Sequence, residues 1–434
     1  MDILNTLKSK VDQVEVMEFH GESTKVGYES SRLKSSTVEE TSGMAVRVIK
    51  DGKLGFASST DMSAGEKLIA NALESAIYGD PIDLSFPAPQ NGPEVVTYDQ
   101  TIVDLPIPRM VEIGQEIVDM LTEIDADVLV DVTLERSVQQ YTIKNQTGTE
   151  VSIKTSPMQM VIGINRIKGD DVLMIYDVIG TTIWDDDYLA PVLELGKKLK
   201  LAGANKTIKS GRMPVLFSPR GALVLGFPLT MGLDGKNVYT GISPMKGKIG
   251  QKLFDEKITI VDDGTLDGRF GSAPYDDEGM PHQRTVLVEN GVLKGFLYDL
   301  KTAAQAGATS TGNGSRGRLS QPSPSPTNLL FQPGDTPLKE IIAGIDEGLL
   351  VEDVLGLGQG NVVSGAFSNP VSLAFKIEKG EIVGRVKDVS IAGNVYDLLQ
   401  NVQAVSRETQ WVYASFSLPS ILIPEMNVIA KANQ

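Results

Sequence analysis

The fold of the first part of the chain is decided by the stretch Val46-Arg47-Val48-Ile49-Lys50-Asp51-Gly52-Lys53-Leu54-Gly55-Phe56-Ala57. Two strand-like runs, Val46 to Lys50 and Leu54 to Ala57, flank the dipeptide Asp51-Gly52. That dipeptide accepts the positive φ angles that a tight hairpin turn requires. The stretch therefore predicts two antiparallel strands within a meander.

A helix is predicted directly after this hairpin. Ser63 and Glu66 have the spacing of a capping box, and apolar residues keep a helical period until Gly79. The next stretch is a poor helix or central strand and predicts a surface linker, because it contains four prolines, Pro81, Pro87, Pro89 and Pro93. We therefore expect an N-terminal α+β domain over residues 1–95.

The middle of the chain has a second helix followed by a second meander. Pro108 is placed to begin the helix, and an apolar stripe continues to Ile124. Another helix, from about Asp186 to Leu201, closes a central α+β domain over residues 96–210. Between the helices lie strand-like segments at Val128 to Leu134, Gln140 to Lys144, Val151 to Lys154, Met158 to Ile167 and Val172 to Ile179.

From Gly211 the composition changes to β-branched runs interrupted by Gly, Pro and Asn, with short helical segments at Leu297 to Ala306 and Leu338 to Ile345. Asn290-Gly291 and Lys379-Gly380 are typical of hairpin turns between strands. We predict a mainly β C-terminal domain over residues 211–434. The predicted fold class is α+β, with N-terminal and central units whose helices pack on antiparallel sheets, followed by this domain.

Composition limits the classes of function. The 434 residues carry a formal net charge of −16, which does not favour nucleic-acid phosphate, so direct nucleic-acid binding is not expected. The absence of cysteine removes disulfides, thiolate nucleophiles and sulfur ligands for zinc. No apolar stretch approaches the ~20 residues that cross a bilayer, and the first residues lack the pattern of a secretory signal. We therefore expect a cytoplasmic protein with no membrane contact.

Residues for hydrolytic chemistry are sparse. The two histidines, His20 and His282, fit no His-Glu-x-x-His pattern, so each is expected to be a surface or structural histidine. Neither accompanies a Gly-x-Ser-x-Gly nucleophile elbow. The acidic clusters Asp262-Asp263-Gly264 and Asp276-Asp277-Glu278-Gly279 are expected to be solvated turns whose carboxylates cap backbone N–H groups. A site for a hard cation is the alternative for these clusters.

Several motifs along the chain carry a family resemblance. They are Gly43-Met44-Ala45-Val46-Arg47-Val48, Val261-Asp262-Asp263-Gly264-Thr265-Leu266-Asp267-Gly268-Arg269, Asp276-Asp277-Glu278-Gly279, Gln283-Arg284, Val286-Leu287-Val288-Glu289-Asn290-Gly291-Val292-Leu293-Lys294-Gly295, Ser310-Thr311-Gly312-Asn313-Gly314, Gly348-Leu349-Leu350-Val351-Glu352-Asp353-Val354, Ser364-Gly365-Ala366-Phe367-Ser368, Ile391-Ala392-Gly393-Asn394 and Leu422-Ile423-Pro424-Glu425-Met426. Because these motifs run in order over nearly the whole chain, the sequence resembles the TldD/PmbA family, once labelled modulators of DNA gyrase.

The resemblance implies a zinc-dependent peptidase system in which one subunit type carries a His-Glu-x-x-x-His segment and a later cysteine. The similar segment here places Ser218, Pro219 and Leu223 where His, Glu and His would stand. The cysteine position falls near Ala414 to Ser417, with Ser415 as its match. Pro219 fits the first turn of a helix better than its middle.

These replacements supply neither imidazole, carboxylate nor thiolate, the groups on which zinc affinity depends. The resemblance is therefore to the PmbA (TldE) branch, and no catalytic residue, metal ligand or cofactor is expected in this chain. The branch implies pairing with a zinc-bearing TldD-type subunit, or a homodimer in its absence.

The family also implies a dimer around a peptide-sized cavity. Arg284, Asn313 and Arg316 lie in matching motifs and are candidate substrate-binding residues, with structural salt bridges or turn hydrogen bonds as the alternative. The leading hypothesis is a non-catalytic subunit of a metallopeptidase complex that acts on peptides or unfolded chains. The alternatives are a self-sufficient metal-dependent hydrolase with carboxylate ligands, and a non-enzymatic binding protein that modulates a topoisomerase or toxin system.

Overall fold

The computed structural model describes residues 2–317 and 319–431. In its first part, seven antiparallel strands form one sheet in the order β3-β2-β1-β4-β6-β7, with β5 paired to β4. The strands are β1 (Gln13–Glu29), β2 (Arg32–Lys50), β3 (Lys53–Ser59), β4 (Val128–Asn145), β5 (Glu150–Thr155), β6 (Met158–Lys168) and β7 (Asp171–Thr181). The helices of this part are α1 (Ile3–Leu7), α2 (Gly65–Ile77), α3 (Gln100–Val103), α4 (Ile107–Ile124) and α5 (Ala190–Leu201).

The hairpin predicted at Asp51-Gly52 is confirmed. Lys50 pairs with Lys53 across the turn, and the two central residues have φ angles of 51° and 69°. The capping box predicted before α2 is wrong, because the Ser63 hydroxyl donates to the Asp61 carboxylate at 2.6 Å and α2 begins without a side-chain cap. The proline-rich stretch after α2 has no helix and no strand longer than a single bridge before Gln100, as a linker requires.

The strands of the N-terminal and central units belong to a single sheet, because β1 pairs with β4 over Glu15–Tyr28. Alternate residues of β4, from Val128 to Leu134, are buried on one face. Helices α4 and α5 cover that face, and their apolar stripes complete the core that the alternation predicts.

The C-terminal part is mainly β, which confirms the predicted α+β class. Its sheet has twelve strands in the order β12-β11-β10-β15-β21-β9-β16-β17-β18-β8, with β19 and β20 paired to β21. The strands are β8 (Asn205–Lys206), β9 (Gly211–Phe217), β10 (Ile260–Asp263), β11 (Arg284–Glu289), β12 (Val292–Leu293), β15 (Leu329–Phe331), β16 (Glu347–Val354), β17 (Ala366–Glu378), β18 (Glu381–Val386), β19 (Val389–Asn394), β20 (Ala404–Val412) and β21 (Phe416–Ala430). A separate ribbon consists of β13 (Gly314–Ser315) and β14 (Ser323–Pro324).

Short helices connect these strands. The two predicted hairpin turns are confirmed, since Asn290-Gly291 joins β11 to β12 and Lys379-Gly380 joins β17 to β18, all with positive φ. The helices are α6 (Leu223–Leu233), α7 (Gly235–Tyr239), α8 (Leu300–Ala306), α9 (Leu338–Ala343) and α10 (Val395–Leu398), with a 3₁₀ turn at Val362–Ser364.

One hydrophobic core joins the two parts of the molecule. Leu216 of β9, Leu350 of β16 and Phe375 of β17 pack in the same cluster as the buried faces of α4 and α5. The neighbours of Leu216 in β9, Val215 and Phe217, belong instead to the core around α6. Strand β9 is therefore buried on both faces, and its carboxyl end lies at the junction of the two parts.

A buried ionic cluster forms a second link. Arg47 of β2 donates from Nε and Nη2 to Glu15 of β1 at 2.9 and 2.6 Å, and from Nη1 to Glu278 of the C-terminal part at 2.5 Å. Arg316 pairs with Oε1 of Glu15, the same oxygen that accepts Nε of Arg47. Burial favours the neutral form of Glu15, but the charges of Arg47 and Arg316 outweigh it and lower its pKa. The cluster fixes strands β1 and β2 to the loops of the C-terminal sheet.

Among the described residues, no helix is long and apolar enough to cross a lipid bilayer.

Candidate functional site

The turn Ser218-Pro219-Arg220-Gly221-Ala222 connects β9 to α6 at the junction. The N–H of Ala222 donates to the carbonyl of Ser218 at 2.7 Å. A Cβ on Gly221 would lie 2.1 Å from the carbonyl oxygen of Val351, so only glycine allows the turn to pack against β16. Helix α6 begins at Leu223, which leaves Pro219 in the turn before the helix rather than in its first turn.

Ser218 lies at the buried end of β9. Its hydroxyl donates to Oε2 of Glu352 at 3.1 Å and accepts the N–H of Gly221 at the same distance. Glu352 also pairs with Nζ of Lys198, from α5, at 2.7 Å. The Ser218 hydroxyl is therefore part of a hydrogen-bond network in which Glu352 links it to the ammonium group of Lys198.

The other two positions that the resemblance singled out lie apart from this network. Leu223 supplies only an alkyl side chain, which lines the mainly apolar second cleft described below. Ser415 belongs to the turn between β20 and β21, and its carbonyl accepts the N–H of Leu329 at 2.9 Å. Within residues 2–317 and 319–431, no three His, Asp or Glu side chains gather as metal ligands. The groups at Ser218, Pro219, Leu223 and Ser415 do not fit a zinc ion, which requires imidazole, carboxylate or thiolate donors.

Arg220 is the centre of the site. It donates from Nε to Asp353 at 3.1 Å, from Nη1 to Asp177 at 3.3 Å and from Nη2 to the hydroxyl of Tyr413 at 3.0 Å. Its guanidinium also lies 3.7 Å from the ring centroid of Tyr176. With 7% of its side chain exposed, Arg220 joins the edge of the N-terminal sheet to β16 and to the β20–β21 turn.

Burial and charge act in opposite directions on Asp177. Burial raises the pKa of its carboxyl, and the Arg220 guanidinium partly offsets this rise. The hydroxyls of Tyr176 and Tyr413 are hydrogen-bonded to each other, and burial is the main cause that raises the pKa of Tyr413. The Tyr413 hydroxyl is therefore a neutral donor and acceptor at physiological pH.

Two clefts flank this cluster. The first, of about 680 Å³, lies between α5, residues 177–181 of β7 and the β20–β21 turn, and both tryptophans of the chain, Trp184 and Trp411, line it. The second, of about 490 Å³, is mainly apolar. It is lined by Met174, Tyr176, Leu223, Phe227, Leu355, Leu357, Tyr413 and Phe416, among others.

Strand β7 is an edge strand of the N-terminal sheet, and it runs past both clefts. The carbonyl of Val172 accepts Arg385 and the N–H of Thr182 donates to Gly268, both outside the sheet. Because backbone groups of alternate residues point to the same side, those of Met174, Tyr176 and Gly180 also point outward. No hydrogen bond from any described residue engages these three, whereas the N–H of Val178, which lies between Tyr176 and Gly180 in the same row, donates to the carboxylate of Asp177 at 2.8 Å. The clefts therefore share an open strand edge.

The candidate substrate-binding residues lie elsewhere. Asn313 donates to Asp262 at 2.7 Å and lines a separate pocket of about 220 Å³. Arg316 donates from Nε to the carbonyl of Asp277 at 2.9 Å, and Arg284 is an exposed residue whose guanidinium lies 3.9 Å from Asp263. These contacts are structural salt bridges and hydrogen bonds, which were the predicted alternative to substrate binding for the three residues. A substrate role for the three residues stays a prediction.

The acidic clusters are not solvated turns, so that expectation is wrong. Asp262, Asp276 and Glu278 are each at most 2% exposed. The capping role is confirmed, because Asp276 accepts backbone N–H groups from Glu278, Met280 and Gly314 at 2.9 Å each. Burial raises the pKa of Asp262 to about 6. Burial, with the charge of Glu278, holds the pKa of Asp276 well above its usual range.

The two histidines have different surroundings. His20 is an exposed residue of β1, as predicted. His282 is partly buried in a loop, where burial lowers its pKa to about 4 and keeps it neutral. A structural role, also expected, agrees with this position.

Sequence reasoning missed most of the residues at the centre of the site. Arg220 and Glu352 lie inside segments that resemble the family, but nothing in the sequence indicates that their charges meet at one site. Tyr176, Asp177 and Lys198 carried no signal, because nothing in the sequence places β7 and α5 beside the turn after β9. Tyr413 precedes the position compared with the lost cysteine, and its positive φ of 49° is visible only in the structure.

Comparisons with known proteins agree with this architecture. The family model of the PmbA/TldA metallopeptidase C-terminal domain matches residues 210–430, and that of domain 1 of the same family matches residues 14–76. A metalloprotease of Methanothermobacter thermautotrophicus is 26% identical over 94% of this chain and 90% of its own length. A metalloprotease TldD homolog of Buchnera aphidicola is 35% identical over 46% of this chain and 42% of its own length.

The solved structure of TldE from Thermococcus kodakarensis superposes with a TM-score of 0.89, covers 99% of both chains and is 26% identical. The C-terminal family model alone accounts for half of the sequence. The chain therefore belongs to the PmbA/TldD metallopeptidase family.

Proposed function

We propose that this chain is a non-catalytic subunit of a TldD/PmbA-type zinc metallopeptidase complex that acts on peptides or unfolded chains. The observation that carries the proposal is the chemistry at the turn after β9 and at the β20–β21 turn. Ser218, Leu223 and Ser415 stand there with two hydroxyls and an alkyl group, none of which activates water or polarises an amide as a zinc site does.

The charges around the turn support the same conclusion. The nearest carboxylates, on Asp177, Glu352 and Asp353, are each paired with Arg220 or Lys198. A divalent cation at this place would have to displace two basic side chains that are largely buried, against their repulsion. The chain thus has its own permanent cations where a hydrolytic subunit would hold a metal.

The open edge of β7 supports a role in holding peptide. An extended peptide can pair with the unpartnered N–H and C=O groups of a strand edge, which gives affinity with little dependence on sequence. The first cleft would receive side chains from such a peptide beside Asp177–Thr181, and the apolar second cleft would receive them beside Met174 and Tyr176.

The outer face of the N-terminal sheet is the surface we assign to the zinc-bearing partner, or to a second copy of this chain. Four apolar side chains on this face are 48–68% exposed: Leu129, Ile167, Val172 and Met174. Leu129 and Met174 both pair with Asn165, and Ile167 pairs with Val172, so all four project from the same side. A contiguous exposed apolar patch of this kind is typical of a protein interface.

The test is reconstitution. The purified chain is mixed with a zinc-bearing TldD-type relative from the same genome, and the mixture is examined by size-exclusion chromatography, metal analysis and cleavage of an unfolded protein. We expect a stable complex with peptidase activity and zinc in the relative only. The control is the same mixture with the Glu of the relative's His-Glu-x-x-x-His segment changed to Gln, which should assemble but not cleave. Failure to associate, or divalent-dependent cleavage by this chain alone, contradicts the proposal.

A further inference from the structure

Two side-chain contacts lie on the open edge of β7: the Asp177 carboxylate accepts the N–H of Val178, and an aromatic contact at Tyr176 separates the two clefts. Residues 177–181 line the first cleft, and Met174 with Tyr176 lines the second. Between them the Tyr176 and Tyr413 hydroxyls are hydrogen-bonded, and the Arg220 guanidinium lies 3.7 and 5.0 Å from the two ring centroids. We call these three side chains the tyrosine crossbar.

The crossbar is fixed from both sides of the edge. Arg220 is bound to Asp353 on β16 and to Asp177 on β7, so it cannot turn away without leaving a buried charge unpaired. Tyr413 is held by a turn in which it and Ala414 both have left-handed backbone, with φ angles of 49° and 60°. Left-handed backbone is unfavourable for a residue with a Cβ, so the turn is retained at a cost of free energy.

The two tyrosines differ in exposure. Tyr176 is 37% exposed on the outer face of the sheet. Tyr413 is half-buried, and its burial raises its pKa. The hydroxyl pair can therefore separate by movement of Tyr176 alone, or by movement of the β20–β21 turn. Either movement would join the two clefts along the backbone groups of Met174, Tyr176 and Gly180, with the N–H of Val178 held by the Asp177 carboxylate between them.

We propose that the tyrosine crossbar selects peptides by length, since it divides the β7 edge into a site for short extended peptides and a second site that only a longer peptide, after crossbar separation, can reach. A strand rises about 3.3 Å per residue, so the stretch beside the first cleft accepts a peptide of roughly 17 Å and the undivided edge one of roughly 26 Å. This inference rests on the proposed peptide-binding role and specifies the substrate class of that site.

The test compares wild-type protein with Tyr413→Gly. Glycine accepts the positive φ of this position without strain. The substitution therefore removes the Tyr413 side chain from the crossbar and leaves the turn intact. The probes are blocked peptides of alternating alanine and threonine, five and ten residues long. Binding is followed by intrinsic tryptophan fluorescence, because both tryptophans line the first cleft. Tyr239→Ala, which changes an exposed tyrosine that lines neither cleft, is the control.

In Tyr413→Gly we expect the ten-residue peptide to bind about ten-fold more tightly than in the wild type, because additional strand hydrogen bonds become available. The five-residue peptide should change less than two-fold, and Tyr239→Ala should match the wild type for both. Equal gains for the two peptides, or no gain for the longer one, overturn the length selection.

A measurement without peptide separates this inference from the proposed function. Hydrogen exchange at the Tyr176 amide should be faster in Tyr413→Gly, because the hydroxyl contact that holds Tyr176 is lost, while amides of β4 should be unchanged. Unchanged exchange overturns the crossbar even if the short peptide binds, and the peptide-binding role then survives. If neither peptide binds to either protein, the peptide-binding role fails, and length selection fails with it.

Discussion

At the scale of single residues, the buried ionic cluster carries the largest energetic consequence. Arg47 is 1% exposed and is the only described basic residue that contacts both Glu15 and Glu278. Removal of one member of a buried ion pair leaves the desolvated partner without compensation, which costs far more than the net value of the pair. The side chain therefore matters more through the carboxylates it neutralises than through its own contacts.

We expect Arg47→Met to lower the free energy of unfolding by roughly 3–5 kcal/mol, measured by urea denaturation at neutral pH. Arg32→Met is the control, because Arg32 is an exposed residue of the same strand and its replacement should cost less than about 0.5 kcal/mol. Similar losses in the two variants would show that the buried pairs contribute nothing beyond surface charge.

Asp262 gives a pH dependence of defined sign. Burial raises its pKa from 3.8 to about 6, so the folded state retains a proton that the unfolded chain releases. Its contribution to stability is present below about pH 4 and is lost as pH rises through 6.

The measurement is urea denaturation of the wild type and Asp262→Asn at several pH values from about 4 to 7. The stability of the wild type relative to the variant should fall over this range by up to roughly 3 kcal/mol. Asp51→Asn, at an exposed turn, is the matched control. A difference that is constant with pH would contradict the assignment.

The carboxylates illustrate what residue-level reasoning could and could not predict. The acidic clusters, their Asp-type capping and their place in family motifs were visible in the sequence. Their burial was not, because the partner that neutralises Glu278 lies 231 residues away in β2, and Glu15 and Arg316 are 301 residues apart. A run of acids usually marks a solvated turn, and only the tertiary fold brings the arginines to it.

At the scale of elements, the hairpins were the most predictable features. Asp51-Gly52, Asn290-Gly291 and Lys379-Gly380 all form the expected turns, because a two-residue turn with positive φ at both positions restricts the sequence strongly. Their surroundings differ, however. A Cβ on Gly52 would meet no atom within 4 Å, whereas a Cβ on Gly291 would lie 2.1 Å from the carbonyl oxygen of Phe254.

This difference makes Gly52→Ala and Gly291→Ala a matched pair. Both substitutions place a Cβ at positive φ, which costs about 1 kcal/mol. Only Gly291→Ala adds a collision with backbone, so its free energy of unfolding should fall by about 2 kcal/mol more than that of Gly52→Ala. Thermal and urea denaturation of the two variants would measure the difference, and equal losses would contradict it.

Other elements were predicted with wrong limits. The sequence predicted two separate strands, Val128 to Leu134 and Gln140 to Lys144. In the structure, β4 is continuous from Val128 to Asn145. The polar stretch between them lacks an apolar pattern, yet it pairs with β1 on one side and with β6 or β5 on the other. Backbone hydrogen bonds on both edges, rather than burial of side chains, maintain the strand there, and hydrophobic periodicity does not detect them.

Helix α8 was predicted to begin at Leu297 and begins at Leu300. Asp299 accepts the N–H of Thr302 at 2.8 Å and caps the helix. The apolar residues before it, Phe296 and Leu297, belong to the C-terminal core instead. An N-cap residue thus determined the start, although the apolar pattern extended further.

At the scale of the whole molecule, the sequence indicated the α+β class and the mainly β C-terminal part. It did not indicate that β1 pairs with β4 and so joins the first two units in one sheet. The long polar hairpin of β1 and β2 has no sequence pattern that identifies β4 as the second strand beside β1. The boundaries at residues 95 and 210 stay predictions. The outer face of the shared sheet is the surface that we propose for the partner subunit.

The partner surface has its own test. Ile167 is 68% exposed on the outer face of the sheet, so Ile167→Glu should leave stability nearly unchanged and weaken association with the zinc-bearing relative by about ten-fold or more. Ile77→Glu is the control, since Ile77 is 60% exposed at the end of α2 and outside that face. Affinities from analytical ultracentrifugation would decide, and equal effects of the two variants would exclude this face as the interface.

The pairing of β21 has a consequence for synthesis of the protein. Residues Phe416–Ala430 pair with β9, β15, β19 and β20, which begin as early as Gly211. Strand β9 ends at Phe217 and β21 begins at Phe416, so about two hundred residues are translated before β9 can pair with β21. During that time β9 lacks this neighbour, and its apolar side chains are available to other nascent chains. The protein is therefore expected to depend on chaperone holding during translation, and the risk ends only when β21 has emerged.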